Sequence, residues 1–241
     1  MFMVMRTASA SRPPVRWGLM LALTLGLAAS GRVDASPNLT FTLTPQSGDG
    51  RISYAGGTAP VVGDDLRVAS VKGLGTPDNG DVVLPLDAGT LTFKTGDLSG
   101  TAAAGSERNF APGGHLELVG GIASLGIKPG TALVTGSFTK DTFIRTMGDG
   151  DLKIQGGAFF NVVNPILAAY YGLPTGGAMF LGGLGTLISA PTNAAGGFAS
   201  AGLTSGSVTT SPVPEPTTLA VFAALAAGGF AYVRRRPRRA A

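Results

Sequence analysis

The sequence predicts an all-β fold, an antiparallel β-sandwich of jelly-roll or Greek-key type with one short helix. An N-terminal signal helix and a C-terminal transmembrane helix are expected to flank it. Three observations lead there. Apolar and polar residues alternate with a period of two from Asn38 onward, the pattern of strands with one buried face. Gly and Pro, 38 and 16 of 241 residues, fall at nearly every junction between the alternating runs, the spacing of antiparallel pairs joined by turns. Only 13% of residues are charged, and with abundant Thr, Ser and Ala this composition fits an extracellular β-rich domain better than a helical cytosolic one.

Taken in order, Arg6, Arg12 and Arg16 precede an apolar run from Trp17 to Ala29, and small and polar residues follow. A positive start, a short apolar stretch and a small-residue exit make a secretory signal, with residues 1–35 as the signal peptide. Cleavage is expected after Ala35, with Ser30 as second choice; an uncleaved anchor is the alternative.

Residues 36–211 form the expected sandwich ectodomain. Leu39, Phe41 and Leu43 alternate with threonines, the turn formers of 45–50 follow, and a return strand is predicted at Arg51–Tyr54. Further strands are predicted at Leu66–Lys72, Val82–Leu86 and Leu91–Leu98, the last with Leu91, Phe93 and Thr95 inward. A loop at Gly100–Gly114 comes next. Strands resume at His115–Val119, Ala123–Ile127, Thr131–Phe138, Thr142–Met147 and Asp151–Phe160. Asn164 as cap, Pro165 at the first helical position, and Gly172 with Pro174 as stops predict about two turns of helix over the apolar residues between. That helix is expected to close one end of the fold with Tyr170 and Tyr171 at the rim. Two weak strands, Ala178–Leu181 and Thr186–Ser189, looser order over Pro191–Gly197, and a last strand near Ser207–Thr210 complete the ectodomain.

The tail, residues 212–241, has three parts. Pro212, Pro214 and Pro216 favour an extended, accessible linker. Thr217 to Val233 carries no charge and as a helix would be about 25 Å long, near the lower limit for spanning a bilayer. Arg234, Arg235, Arg236, Arg238 and Arg239 follow as a membrane stop signal that holds its end in the cytoplasm. The basic pI near 9.7 comes from the chain's two ends, because residues 36–211 hold nine Lys and Arg against twelve Asp and Glu. A nucleic-acid partner therefore loses its electrostatic support.

In its order of parts the tail resembles the PEP-CTERM sorting domain of Gram-negative bacteria. The resemblance rests on Pro214, Glu215 and Pro216, flanked by Val213 and Thr217, on the apolar run 217–233 and on the terminal Arg cluster. It covers about thirty residues and implies that an exosortase, an integral membrane protease-transpeptidase, recognises Val213–Thr217 and processes the protein. A single-pass anchor behind a Pro-rich linker is the alternative reading, with the same topology and no processing.

Chemistry in the ectodomain is thinly signposted. The chain has no Cys, which excludes disulfides, thiolate metal sites and a Cys nucleophile. His115 is the only His, no Gly-x-Ser-x-Gly elbow occurs, and His115 shares a strand face with Glu117, opposite Leu116 and Leu118, as a solvent-facing residue does. Asp64 with Asp65, and Asp149 with Asp151, fit turns as well as calcium, and neither completes a calcium loop. Glu107, Glu117 and the scattered Asp leave glycoside chemistry open. No catalytic residue, metal or cofactor is assigned.

The functional expectation is a non-enzymatic structural or surface-interaction protein. It would be exported by the secretion machinery, freed by signal peptidase and held at the inner membrane with its ectodomain in the periplasm. Exosortase would then pass it to the cell surface or an exopolysaccharide matrix. A polysaccharide-acting hydrolase or a carbohydrate-binding module sorted by the same tail is the alternative, to be recognised by two carboxylates in a cleft or by a groove lined by Tyr54, Tyr170 or Tyr171.

Overall fold

Alternation along the chain fixes which face of each strand is buried, and pairing then fixes the architecture. The computed structural model describes residues 36–47, 50–101, 107–147, 151–191, 196–200 and 202–213. Its strands are β1 (Asn38–Leu43), β2 (Gln46–Ser47), β3 (Arg51–Tyr54), β4 (Val61–Leu74), β5 (Val83–Pro85), β6 (Asp87–Lys94), β7 (Leu98–Thr101) and β8 (Glu107–Phe110). After these come β9 (Gly113–Ile122), β10 (Ile127–Phe138), β11 (Thr142–Thr146), β12 (Asp151–Val163), helix α1 (Pro165–Tyr170), β13 (Phe180–Ser189), β14 (Phe198–Ala199) and β15 (Gly202–Pro212).

The fold is all-β and antiparallel, as expected, but it is a closed barrel and not a sandwich. Eight strands, β1, β4, β6, β9, β10, β12, β13 and β15, each pair antiparallel with the next in chain order. The ring closes where β15 returns to β1, with Phe41 opposite Val208. Ring order equals chain order, so there is no Greek-key crossing among the eight. Period-two alternation is common to both architectures, and only the last pairing distinguishes them. Closure pairs each of the eight on both sides, β10 over Val134–Phe138.

The interior is filled by the barrel's own side chains. Leu39, Phe41, Leu66, Leu91, Phe93, Leu118, Phe159 and Val208 are all fully buried. Phe138 packs edge-on against both Phe93 and Phe159, at 6.3 and 5.8 Å between ring centres. Truncating one such ring to Ala costs roughly 3–5 kcal/mol in a core of this kind. Glycines make the room these rings need. A Cβ on Gly63 would lie 2.1 Å from the Phe93 ring, and one on Gly182 would lie 2.3 Å from the Phe159 ring. The Gly-rich stretch read as two weak strands is therefore one ten-residue strand, β13, whose Gly182 is a contact surface for an aromatic ring and not a break.

Other boundaries shift for identifiable reasons. β4 begins at Val61, ahead of the expected Leu66, because Asp64 and Asp65 belong to a bulge within the strand, with Asp65 at φ 50°. The loop expected over Gly100–Gly114 contains the end of β7, all of β8 and the start of β9; residues 102–106 lie outside those described. The strand expected at Ala123–Ile127 is a 3-10 turn, Ala123–Leu125, stopped by Gly126 at φ 68° so that β9 and β10 can form a hairpin. The last strand is longer than expected and runs to Pro212. Of the stretch expected to be looser, residues 192–195 lie outside those described.

Both ends of the barrel are covered. At one end α1 forms as predicted: the Asn164 side chain accepts from Ile166 N at 3.0 Å and Leu167 N at 3.4 Å, and Pro165 opens the helix. Leu167 and Ala168 are buried beneath it. Tyr171 is not at the rim. It is fully buried, with its hydroxyl donating to Val82 O at 2.9 Å and within 3.3 Å of Val71 O, and Tyr170 packs edge-on against it. At the other end β3 and β14 pair, and Tyr54 packs on Phe110 of β8 and Phe198 of β14.

Burial, and next the neighbouring Tyr170, pushes the Tyr171 pKa up to about 12 from 10.0. The fold thus holds the neutral phenol, so the contribution of Tyr171 is complete below pH 10 and is lost as pH rises from 10 towards 12. Urea midpoints measured across that range should fall less steeply in Tyr171→Phe than in the parent chain. At neutral pH the variant should lose about 1 kcal/mol with its hydrogen bond.

Candidate functional surface

With its interior packed by its own side chains, the barrel presents its outer face and its two ends to the surroundings. Of the tyrosines considered for a sugar groove, Tyr54 lines a depression of about 450 Å³ together with Ser53, Ala55, Pro191, Phe198 and Ala199, although its side chain is largely buried. Tyr54 is buried, donates its hydroxyl to Gly57 O at 2.6 Å and has the Arg108 guanidinium 5.8 Å from its ring centre. Tyr171 is bonded as described, and Tyr170 is partly exposed.

The candidate catalytic and metal residues are dispersed by the fold. His115 and Glu117 are exposed on β9, with Leu116 and Leu118 buried on the other face, as the alternation predicts. Asp64 stands opposite Arg51 across β3 and β4. Glu107 accepts from Arg145 Nε at 3.0 Å and Nη2 at 2.5 Å, so it is taken up by an ion pair and not by a second carboxylate. Asp149 lies outside the described residues. Among the described residues no three His, Asp or Glu converge on a point that would hold a metal ion.

One part of the outer face does gather chemistry. β12 peels away from β10 in its N-terminal half and pairs there with β11, which carries β8 and β7 beyond it. The register aligns Glu107, Arg145, Lys153, Leu187 and Ser205 in one row across five strands. Asn109, Phe143, Gln155, Gly185 and Ser207 form the next row on the same face. Beneath them Ile144, Leu152, Ile154 and Ile188 are buried, so the outward positions are held on a rigid, packed sheet.

Two adjoining depressions lie along these rows. One, of about 240 Å³, is lined by Glu107, Phe143, Arg145, Lys153 and Gln155. The other, of about 520 Å³, runs from Met147 and Lys153 over Gly185 and Leu187 to Ser205 and Ser207. Lys153 lines both. Gly185 has open space where a side chain would stand, which keeps the second depression clear. Arg145 and Glu107 neutralise each other, leaving Lys153 as a cation that makes no ion pair among the described residues. Phe143, 38% exposed, supplies an apolar edge beside it.

This face was not singled out from the sequence. Arg145 and Lys153 occupy outward positions of strands that the alternation did predict, but only the pairing of β8, β11, β12 and β13 makes them neighbours. The sorting residues Pro214, Glu215, Pro216 and Thr217, the arginines 234–239 and the signal segment 1–35 lie outside the described residues. Val213 is described: it is exposed, and its N–H donates to Met179 O at 3.0 Å, just past the end of β15. No described helix is long and apolar enough to cross a membrane. No family model, no curated protein and no solved structure matches the chain.

Proposed function

We propose that the chain is an exported structural or surface-interaction protein, a solid β-barrel carried to the cell envelope or an exopolysaccharide matrix by a C-terminal exosortase sorting signal. Val213, Pro214, Glu215, Pro216 and Thr217 are its recognition residues, and Arg234, Arg235, Arg236, Arg238 and Arg239 stop its transfer across the inner membrane. The order of those three parts supports the sorting half. For the ectodomain the observation that carries the reading is the packed interior, in which aromatic and aliphatic side chains occupy the space a ligand-binding barrel leaves open. Intact-mass analysis of exported material tests the sorting half. Cells with exosortase should yield a chain shortened near Pro214–Pro216, and cells without it, or a Glu215→Ala variant, should retain the end through Ala241; retention in all three would refute it.

A second reading, as a carbohydrate-binding module, draws support from the rows that bring Phe143, Gln155, Arg145 and Lys153 together. An apolar edge beside amide and cationic donors suits an acidic polysaccharide. In gels containing an acidic polysaccharide, Lys153→Glu should weaken retardation about tenfold relative to the parent chain, a change of about 1.4 kcal/mol. Retardation unchanged by the substitution, or equal in a neutral polysaccharide, would remove this reading.

A further inference from the structure

Exposed apolar side chains are not spread evenly over the barrel. Among the described residues, five of the large ones, Phe160, Val162, Met179, Leu181 and Val213, fall in one patch on the outer face of β12 and β13. Phe160 stands directly opposite Leu181, and Val162 lies two residues further along the same strand face. Met179 is two residues before Leu181, and Val213 is hydrogen-bonded to it. Val162 and Met179 are 50% and 52% exposed, more than a half-buried strand face requires.

The strands that flank the patch frame it with small hydroxyl side chains, and the nearest carboxylate in register, the exposed Glu117 of β9, stands one strand beyond Thr135. In register, Thr135 stands beside Val162 and Ser137 beside Phe160 on β10, while Ser211 stands beside Leu181 and Thr209 beside Gly183 on β15. An apolar centre framed by small hydroxyl side chains is cheap to dehydrate.

The position of the patch identifies what covers it. Val213 belongs to the patch and is the last described residue, and Thr217, where the apolar run 217–233 begins, is four peptide steps away. Those steps reach about 14 Å at most. We propose that in the unprocessed chain this patch is a docking surface for the lipid bilayer, so that the barrel lies on the membrane with Phe160, Val162, Met179 and Leu181 at the boundary between headgroups and acyl chains. The proposal rests on the reading of 217–233 as a membrane segment: a tether this short brings the bilayer, before any second copy of the chain, to the patch. A bilayer-inserted tail is also unavailable to fold back over it. Side chains of this type at that depth add interfacial binding to the single span.

The chain's lack of Cys makes the test direct. Single-Cys variants of the full chain, Leu181→Cys in the patch, Lys94→Cys on the far side of the barrel and Ala226→Cys in the tail, would carry a fluorophore in vesicles of phosphatidylethanolamine and phosphatidylglycerol. Lipid-borne quenchers should reach the label at 181 several-fold more than the label at 94, while iodide in the water should show the opposite order. In a Met179→Ser, Phe160→Ser background, folded by circular dichroism, that preference at 181 should disappear. Equal access of iodide to 181 and 94 with 226 in lipid would overturn the docking surface and leave the tail reading intact. Iodide access at both 181 and 226 would overturn both. Lipid contact at 181 without lipid contact at 226 would support docking while removing the tail reading. Shielding of 181 from both quenchers, with label–label proximity, would assign the patch to a second copy and overturn the proposal.

Discussion

Everything in this molecule depends on the hydrogen bonds that join β15 to β1. Five residue pairs from Leu39 opposite Thr210 to Leu43 opposite Gly206 turn a curved sheet into a ring. Without them β1 and β15 would both be open edges, inviting pairing with other chains, and the side chains of Phe41 and Val208 would lose the wall that shields them. With them, the interior becomes a single packed core. The gain is cooperative, because closure requires the correct register at all eight junctions and each junction is held by side chains packed on the inner face.

The filling of that core explains a composition that otherwise looks unfavourable. Glycine weakens a strand in isolation, by roughly 0.5–1 kcal/mol relative to Ala. At Gly63 and Gly182 that cost is offset by the rings of Phe93 and Phe159, each of which occupies the space a Cβ would need. A buried polar pair reinforces the same region: Thr210 donates to Asn161 Oδ1 at 2.7 Å, across the strand that carries Gly182. A buried polar pair satisfied in this way helps to fix one register of β12, β13 and β15.

How much of this was legible in the sequence follows from the range of each interaction. Strand faces were legible because alternation is local: Leu91, Phe93 and Thr95 are inward, and His115 and Glu117 outward, as read. Helix α1 was legible because Asn164 and Pro165 act within one turn. The barrel was not, since β1 and β15 lie at opposite ends of the folded chain and nothing in either strand names its partner. Tyr171 was misplaced at the rim because its acceptors, on Val71 and Val82, are remote in sequence. The row of Glu107, Arg145 and Lys153 was invisible for the same reason. The proposed sorting signal, by contrast, rests on contiguous residues, Val213–Thr217, and its reading needs no tertiary contact.

The barrel claim is tested most directly by amide hydrogen exchange resolved strand by strand. A closed ring predicts that paired amides of β1 and β15, and of β10 and β12 where they meet, exchange as slowly as those of β9 and β13, because along these pairings neither strand has a solvent-facing edge. Loop-like exchange at every second amide along β1, or along β10 between Val134 and Phe138, would mark an open edge there and contradict the closed barrel.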